Sequence, residues 1–110
     1  MAAHMVHDPR SVVRIADRAR DLIYQHVYKA LRHGDEEAVR AMTAFARALP
    51  YMKFESLEEA AQIARGWAEC AEWSTKRLKR KGALTISQER ANLVAIGALV
   101  WVGEILSPTA

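Results

Sequence analysis

Residues 93–103 read LVAIGALVWVG, eleven consecutive positions without a charged or strongly polar side chain. A helix on a protein surface keeps a polar face, so a helix that lacks one must be surrounded by protein. We expect this run to belong to a C-terminal helix that begins near Thr85 or Ser87 and ends before Pro108. Such a helix is either the central element of the fold or one half of a subunit interface. The sequence leaves both arrangements open.

Two amphipathic helices are predicted in the first half of the chain. Asp8 is placed as the N-cap of the first helix and Pro9 as its first residue, where a missing amide hydrogen costs nothing. Gly34 suits the left-handed residue that ends this helix. Asp35 then caps a shorter second helix, which ends at Pro50 because proline cannot continue it.

A third helix is predicted between the loop after Pro50 and the C-terminal helix. Ser56 and Glu59 have the spacing of a capping box, in which each side chain satisfies a backbone amide of the first turn. The helix should run to about Lys81, with Gly82 as its stop. No strand pattern interrupts these elements. The predicted fold is therefore all-α, a compact four-helix bundle with an apolar central C-terminal helix.

The totals are those of one globular domain. The chain has 110 residues, and we expect residues 9–110 to form a single helical domain after a disordered N-terminal segment, 1–8, whose first four residues resemble a cloning remnant. The single cysteine, Cys70, excludes an internal disulfide. The apolar run is about half the length that a membrane span requires. We expect a cytoplasmic protein without a membrane association.

The stretch WSTKRLKRKG, residues 73–82, carries five of the chain's cations, whereas the whole chain has a net charge of only +3. The five spread over roughly 200° of the third helix, instead of forming one stripe. Cations in a last turn also offset the negative end of a helix dipole. The run is thus either a solvated helix end or a contact for phosphate or an acidic partner. Its cations are Lys76, Arg77, Lys79, Arg80 and Lys81.

Trp73 does not fit the apolar pattern of the third helix, because it falls among polar positions. It precedes Arg77 by four residues, a spacing that allows a cation–π contact. Tryptophan and arginine are enriched in protein–protein hot spots, and an exposed ring also stacks on nucleic-acid bases. The structural alternative is that the fourth helix or a second subunit covers the ring.

Catalytic and metal-binding patterns receive little support. Cys70 has no suitably spaced histidine and is expected to be inert at the edge of the core, and His26 is expected to be a core histidine with one hydrogen-bond partner. The pairs Glu55/Glu58 and Glu69/Glu72 resemble the ExxE elements of all-helical nucleoside-triphosphate pyrophosphohydrolases. That resemblance implies magnesium held between two helices. No matching acidic pair lies on another apolar face, so we expect the glutamates to be solvated or paired with Arg65 and Lys76.

Glu104 interrupts the apolar C-terminal helix, and we expect it to be exposed instead of buried against Arg20.

These observations favour a small, non-catalytic cytoplasmic binding protein that docks on a protein or a protein–nucleic-acid complex. An accessory, regulatory or inhibitory factor encoded by a bacterium, a phage or a mobile element would fit its size and Ala/Arg-rich composition. No cofactor, metal or catalytic residue is predicted, and a homodimer is compatible with the sequence. Alternatives are a nucleic-acid-binding accessory protein and, more remotely, a magnesium-dependent nucleotide pyrophosphohydrolase. The predicted partner-binding residues are Trp73, Lys76, Arg77, Lys79, Arg80 and Lys81.

Overall fold

The computed structural model describes residues 9–107, with side chains from Arg14 onward. Four α-helices and one short 3₁₀ turn account for most of these residues, and the described part contains no strand. The predicted all-α four-helix bundle is confirmed. Its elements are α1 (Pro9–Arg32), α2 (Glu36–Ala48), the 3₁₀ turn (Leu49–Tyr51), α3 (Leu57–Arg80) and α4 (Ile86–Leu106).

Helix α1 begins at a proline and is ended by a left-handed glycine. Pro9 is the first helical residue, as predicted, whereas Asp8 lies outside the described residues. Gly34 adopts a left-handed φ of 69°. The amides of Gly34 and Asp35 donate to carbonyls in the last turn of α1, which completes a Schellman motif. Asp35 occupies the N-cap position of α2, but its side chain makes no capping hydrogen bond, so that part of the prediction is wrong.

Side-chain caps fix the starts of α3 and α4. Ser56 Oγ accepts a hydrogen bond from the Glu59 amide at 3.1 Å, as predicted. The Glu59 carboxylate, however, accepts at 2.7 Å from the amide of Glu55 instead of that of Ser56. A complete capping box occurs at α4, where Thr85 and Gln88 exchange hydrogen bonds of 3.1 and 2.9 Å. These caps place the start of α4 at the first of its two predicted positions.

The hydrophobic core lies where α1 and α2 meet the adjoining halves of α3 and α4. Helix α4 packs against each of the other three helices, with its most extensive contact on α3. The largest fully buried side chains are Ile23, Met42, Phe45, Leu49, Val102 and Leu106. Alanines complete the buried face of α3, which allows the helices to approach closely.

Gly103 lies at a close contact between α3 and α4. A Cβ atom at this position would lie 3.0 Å from Arg65 Cγ and 3.4 Å from the carbonyl oxygen of Ala61. A larger residue at position 103 would therefore require the Arg65 side chain to move aside.

Burial of α4 is uneven, although its apolar run predicted cover on all sides. Within the run, Leu99 and Val102 are buried, whereas Leu93 and Val100 keep 54% and 44% of their surface exposed. The chain's own helices thus cover only one side of α4. No helix in the described part of the chain is both long and apolar enough to cross a membrane.

The far half of the α3–α4 hairpin, residues 69–93, is named the arm. Between these residues the only buried side chain is that of Thr75, which is 6% exposed. The molecule measures 57 × 31 × 24 Å along its principal axes, so it is elongated. At the tip, Gly82 has a φ of 67° and ends α3 with a second Schellman motif.

Replacing Leu106 by alanine should destabilise the fold far more than the same change at Leu78. Leu106 is 1% exposed in the core, whereas Leu78 is 39% exposed on the arm. We expect Leu106→Ala to lower the free energy of unfolding by about 3 kcal/mol, because it leaves a cavity. Leu78→Ala should cost under about 1 kcal/mol. Urea denaturation followed by circular dichroism measures both, and equal losses would contradict the described core.

Candidate interaction surface on helix α3

The register of α3 directs Trp73 away from the core. Trp73 stands five residues after Ala68 and two before Thr75, both of which are buried. At 3.6 residues per turn it therefore lies roughly 140–160° around the helix from each of them. Its side chain is 58% exposed, whereas Trp67 on the same helix packs edge-to-face on Phe45 at 5.0 Å. The alternative that α4 covers the Trp73 ring is wrong.

Arg77 makes the cation–π contact that the four-residue spacing predicted. Its Cζ atom lies 5.3 Å from the centroid of the Trp73 ring. The contact holds a guanidinium group against one aromatic face while more than half of the tryptophan surface still meets solvent. An apolar ring and a fixed charge are thus presented together.

The remaining cations are all exposed, but they are not equivalent. Lys76 pairs with Glu72 at 3.1 Å, and Lys79 pairs with Glu89 at 2.8 Å. Within residues 14–107, Arg80 and Lys81 form no ion pair. A shallow depression of about 420 Å³ is lined by Lys76, Lys79 and Arg80. All six predicted partner-binding residues are exposed, and we call them together the Trp73 surface: Trp73, Lys76, Arg77, Lys79, Arg80 and Lys81.

Two contacts between α3 and α4 orient this surface. The Lys79–Glu89 ion pair joins the helices near the tip of the arm. Nearer the core, the side-chain amide of Asn92 donates a hydrogen bond of 3.4 Å to Thr75 Oγ1. The Thr75 hydroxyl in turn donates a hydrogen bond of 2.7 Å to the Ala71 carbonyl oxygen. Lys79 belongs to the predicted set, whereas the sequence pattern did not single out Glu89, Thr75 or Asn92. Asn92, a polar side chain directly before the apolar run, was the available signal.

A second concave region lies beside the middle of α4. It is a groove of about 600 Å³ between α4 and the junction of α1 with α2, and Trp101, His33 and Asp35 are among its walls. Beside it, His26 Nδ1 donates to the Leu22 carbonyl at 2.9 Å, and its ring meets Trp101 edge-to-face at 5.4 Å. His26 thus has a backbone hydrogen-bond partner, as predicted, but it is only partly buried and not a core residue.

Two of the four glutamates that resemble a magnesium site form the ion pairs predicted for them. Glu58 faces Arg65 at 3.8 Å and accepts at 3.4 Å from the Ser107 hydroxyl. Glu72 is paired with Lys76. In the part of the chain that the structure describes, no three potential metal ligands of the His, Cys, Asp or Glu type converge. The ExxE pairs are therefore not brought together.

Cys70 and Glu104 lie outside the Trp73 surface. Cys70 is exposed on α3, so its predicted place at the edge of the core is wrong. Glu104 is exposed, as predicted, and Arg20 pairs with Asp17 at 2.8 Å.

Comparisons with protein-family models, curated proteins and solved structures found no match to this chain. What the Trp73 surface can bind therefore follows from the geometry of its own residues. An exposed indole beside a fixed arginine can bind an apolar or aromatic group that carries a neighbouring negative charge.

The exposure of Trp73 can be measured directly, because the chain has only three tryptophans, Trp67, Trp73 and Trp101. Trp73 is 58% exposed and Trp67 is 37% exposed, and Trp101 is partly buried. We expect Trp73→Phe to lower the acrylamide quenching constant of the total fluorescence. Trp101→Phe, the matched control, should raise it. An unchanged constant in Trp73→Phe would show that the ring is covered in solution.

Proposed function

We propose that this protein is a non-catalytic binding protein that docks on a macromolecular partner through the Trp73 surface. One observation carries the proposal: the Trp73 ring is 58% exposed on the chain's own fold, with the Arg77 guanidinium 5.3 Å from its centroid. Tryptophan and arginine are the residues most enriched among those that dominate binding energy at protein interfaces.

The chemistry of the surface favours a protein partner with an acidic rim around an apolar pocket. Burial of the indole would release water from a large apolar area, which is the main favourable term in association. Arg77 already contacts the ring, so its guanidinium group stands beside the indole before a partner binds. Arg80 and Lys81, which have no ion pair within the described residues, would meet carboxylates of the partner.

Nucleic acid is the alternative partner for the same surface. The depression lined by Lys76, Lys79 and Arg80 could receive a phosphate group. Two of these cations are engaged by Glu72 and Glu89, however, and the acidic side chains would themselves repel phosphate. Phosphate contacts dominate the affinity for nucleic acid, whereas apolar burial dominates protein association, so the pairing of these cations weakens the nucleic-acid alternative more.

The proposed role is that of an accessory, regulatory or inhibitory factor in the cytoplasm. A chain of 110 residues with one docking surface would act by occupying or bridging sites on a larger assembly. No cofactor is required for this activity.

The proposal is tested by affinity capture from a lysate of the source cell, with and without nuclease, and the captured partner is then titrated in purified form. We expect a nuclease-resistant protein partner. Replacing Trp73 and Arg77 by alanine should weaken its binding by at least about thirtyfold, equivalent to about 2 kcal/mol. The matched control is Tyr51→Ala with Arg40→Ala, which removes another exposed aromatic residue and another exposed arginine.

Loss of capture after nuclease treatment would favour the nucleic-acid alternative. That alternative predicts that log affinity for duplex DNA falls linearly with log salt, by about 0.9 for each phosphate engaged. If the double alanine variant bound its partner as tightly as the wild type, the Trp73 surface would be the wrong site.

A further inference from the structure

The described helices leave one side of α4 open. This side carries exposed apolar residues with one charged residue at each end. Its residues recur at alternating spacings of three and four, which places them on one face of the helix. Leu93 and Val100 are 54% and 44% exposed, and Val94 beside them is 38% exposed. We name as the α4 strip the exposed residues Arg90, Leu93, Gly97, Val100 and Glu104.

Gly97, at the centre of the α4 strip, has no packing role among the described residues. A Cβ atom built there meets no atom within 4 Å, whereas one at Gly103 would lie 3.0 Å from Arg65. A glycine within a helix weakens it relative to alanine, because glycine loses more backbone freedom on folding. The closeness of Arg65 and Ala61 explains why residue 103 is a glycine. No contact among the described residues explains why residue 97 is a glycine. Its bare backbone is suited to the close approach of another helix.

The charges of the α4 strip are arranged symmetrically about Gly97. Arg90 precedes it by seven residues and Glu104 follows it by seven, so each charge lies about 10.5 Å from Gly97 along the helix. Neither charged residue forms an ion pair with another residue in the described part of the chain. The strip is therefore complementary to itself when one copy is reversed.

We infer that the α4 strip is a homodimer interface, in which two α4 helices pack antiparallel and cross at Gly97. A two-fold axis through this crossing places Arg90 of each copy opposite Glu104 of the other. Leu93 and Val94 then meet Val100 and Trp101 of the second copy. A parallel two-fold pair would instead place Arg90 against Arg90 and Glu104 against Glu104 of the second copy. Such contacts between like charges are unfavourable.

The size of the α4 strip sets the expected strength of the dimer. Helix α4 has 21 residues and is therefore about 30 Å long. An interface limited to one helix face falls at the small end of specific interfaces, where association is weak. The groove of about 600 Å³ beside Val94, Gly97 and Trp101 leaves room for side chains of the second copy. We expect a dissociation constant in the micromolar range.

Sedimentation equilibrium over about 1 µM to 1 mM protein tests this interface. The wild type should dimerise, and Arg90→Glu and Glu104→Arg should each raise the dissociation constant by about tenfold or more, because each replaces two attractions by two repulsions. A mixture of these two variants should form a heterodimer of nearly wild-type affinity. The double variant should also recover dimerisation.

Position 97 supplies a second test with a matched control. Gly97→Lys places two ammonium groups at the crossing point and should abolish the dimer, while the open space at this position preserves the fold. Gly66→Lys on α3, where the added side chain also meets open space, should leave the dimer unchanged. Circular dichroism verifies folding of all variants. A monomeric wild type, a dimer insensitive to both charge reversals, or a mixture that stays monomeric would overturn the inference.

Discussion

The close contact between α3 and α4 is the constraint on which the rest of the structure depends. Gly103 lets α4 approach the backbone of Ala61 and the stem of Arg65. Because α3 meets α4 mainly through alanines, the two helices need little side-chain volume between them. The pair can therefore continue beyond α1 and α2 as the arm. It also commits one side of α4 to α3 and leaves the α4 strip without cover.

Local signals in the sequence predicted the fold and much of the Trp73 surface. Gly34, Gly82 and Thr85 were identified as boundaries because caps and left-handed turns depend on a few neighbouring residues. Trp73 was recognised as an outlier, and its contact with Arg77 followed from helix spacing alone.

The errors concern features that depend on partners distant in sequence. The apolar run correctly predicted a central helix, but hydropathy does not reveal which side of that helix another element covers. Cys70 was misplaced because the arm extends past the core. The Lys79–Glu89 ion pair spans the hairpin turn, so its existence depends on how the two helices pack. For the same reason, the sequence does not show whether other helices of the chain or a second subunit cover α4.

The presence of a single buried side chain in the arm, Thr75, has a consequence for the energy landscape of the protein. Residues that bury little apolar surface contribute little to cooperative stability, so they exchange amide hydrogens through openings smaller than global unfolding. The arm and the core should behave as separate cooperative units, with the tip at Gly82 fraying first. A docking surface carried on such a unit can adjust its shape to a partner while the remainder of the bundle stays folded.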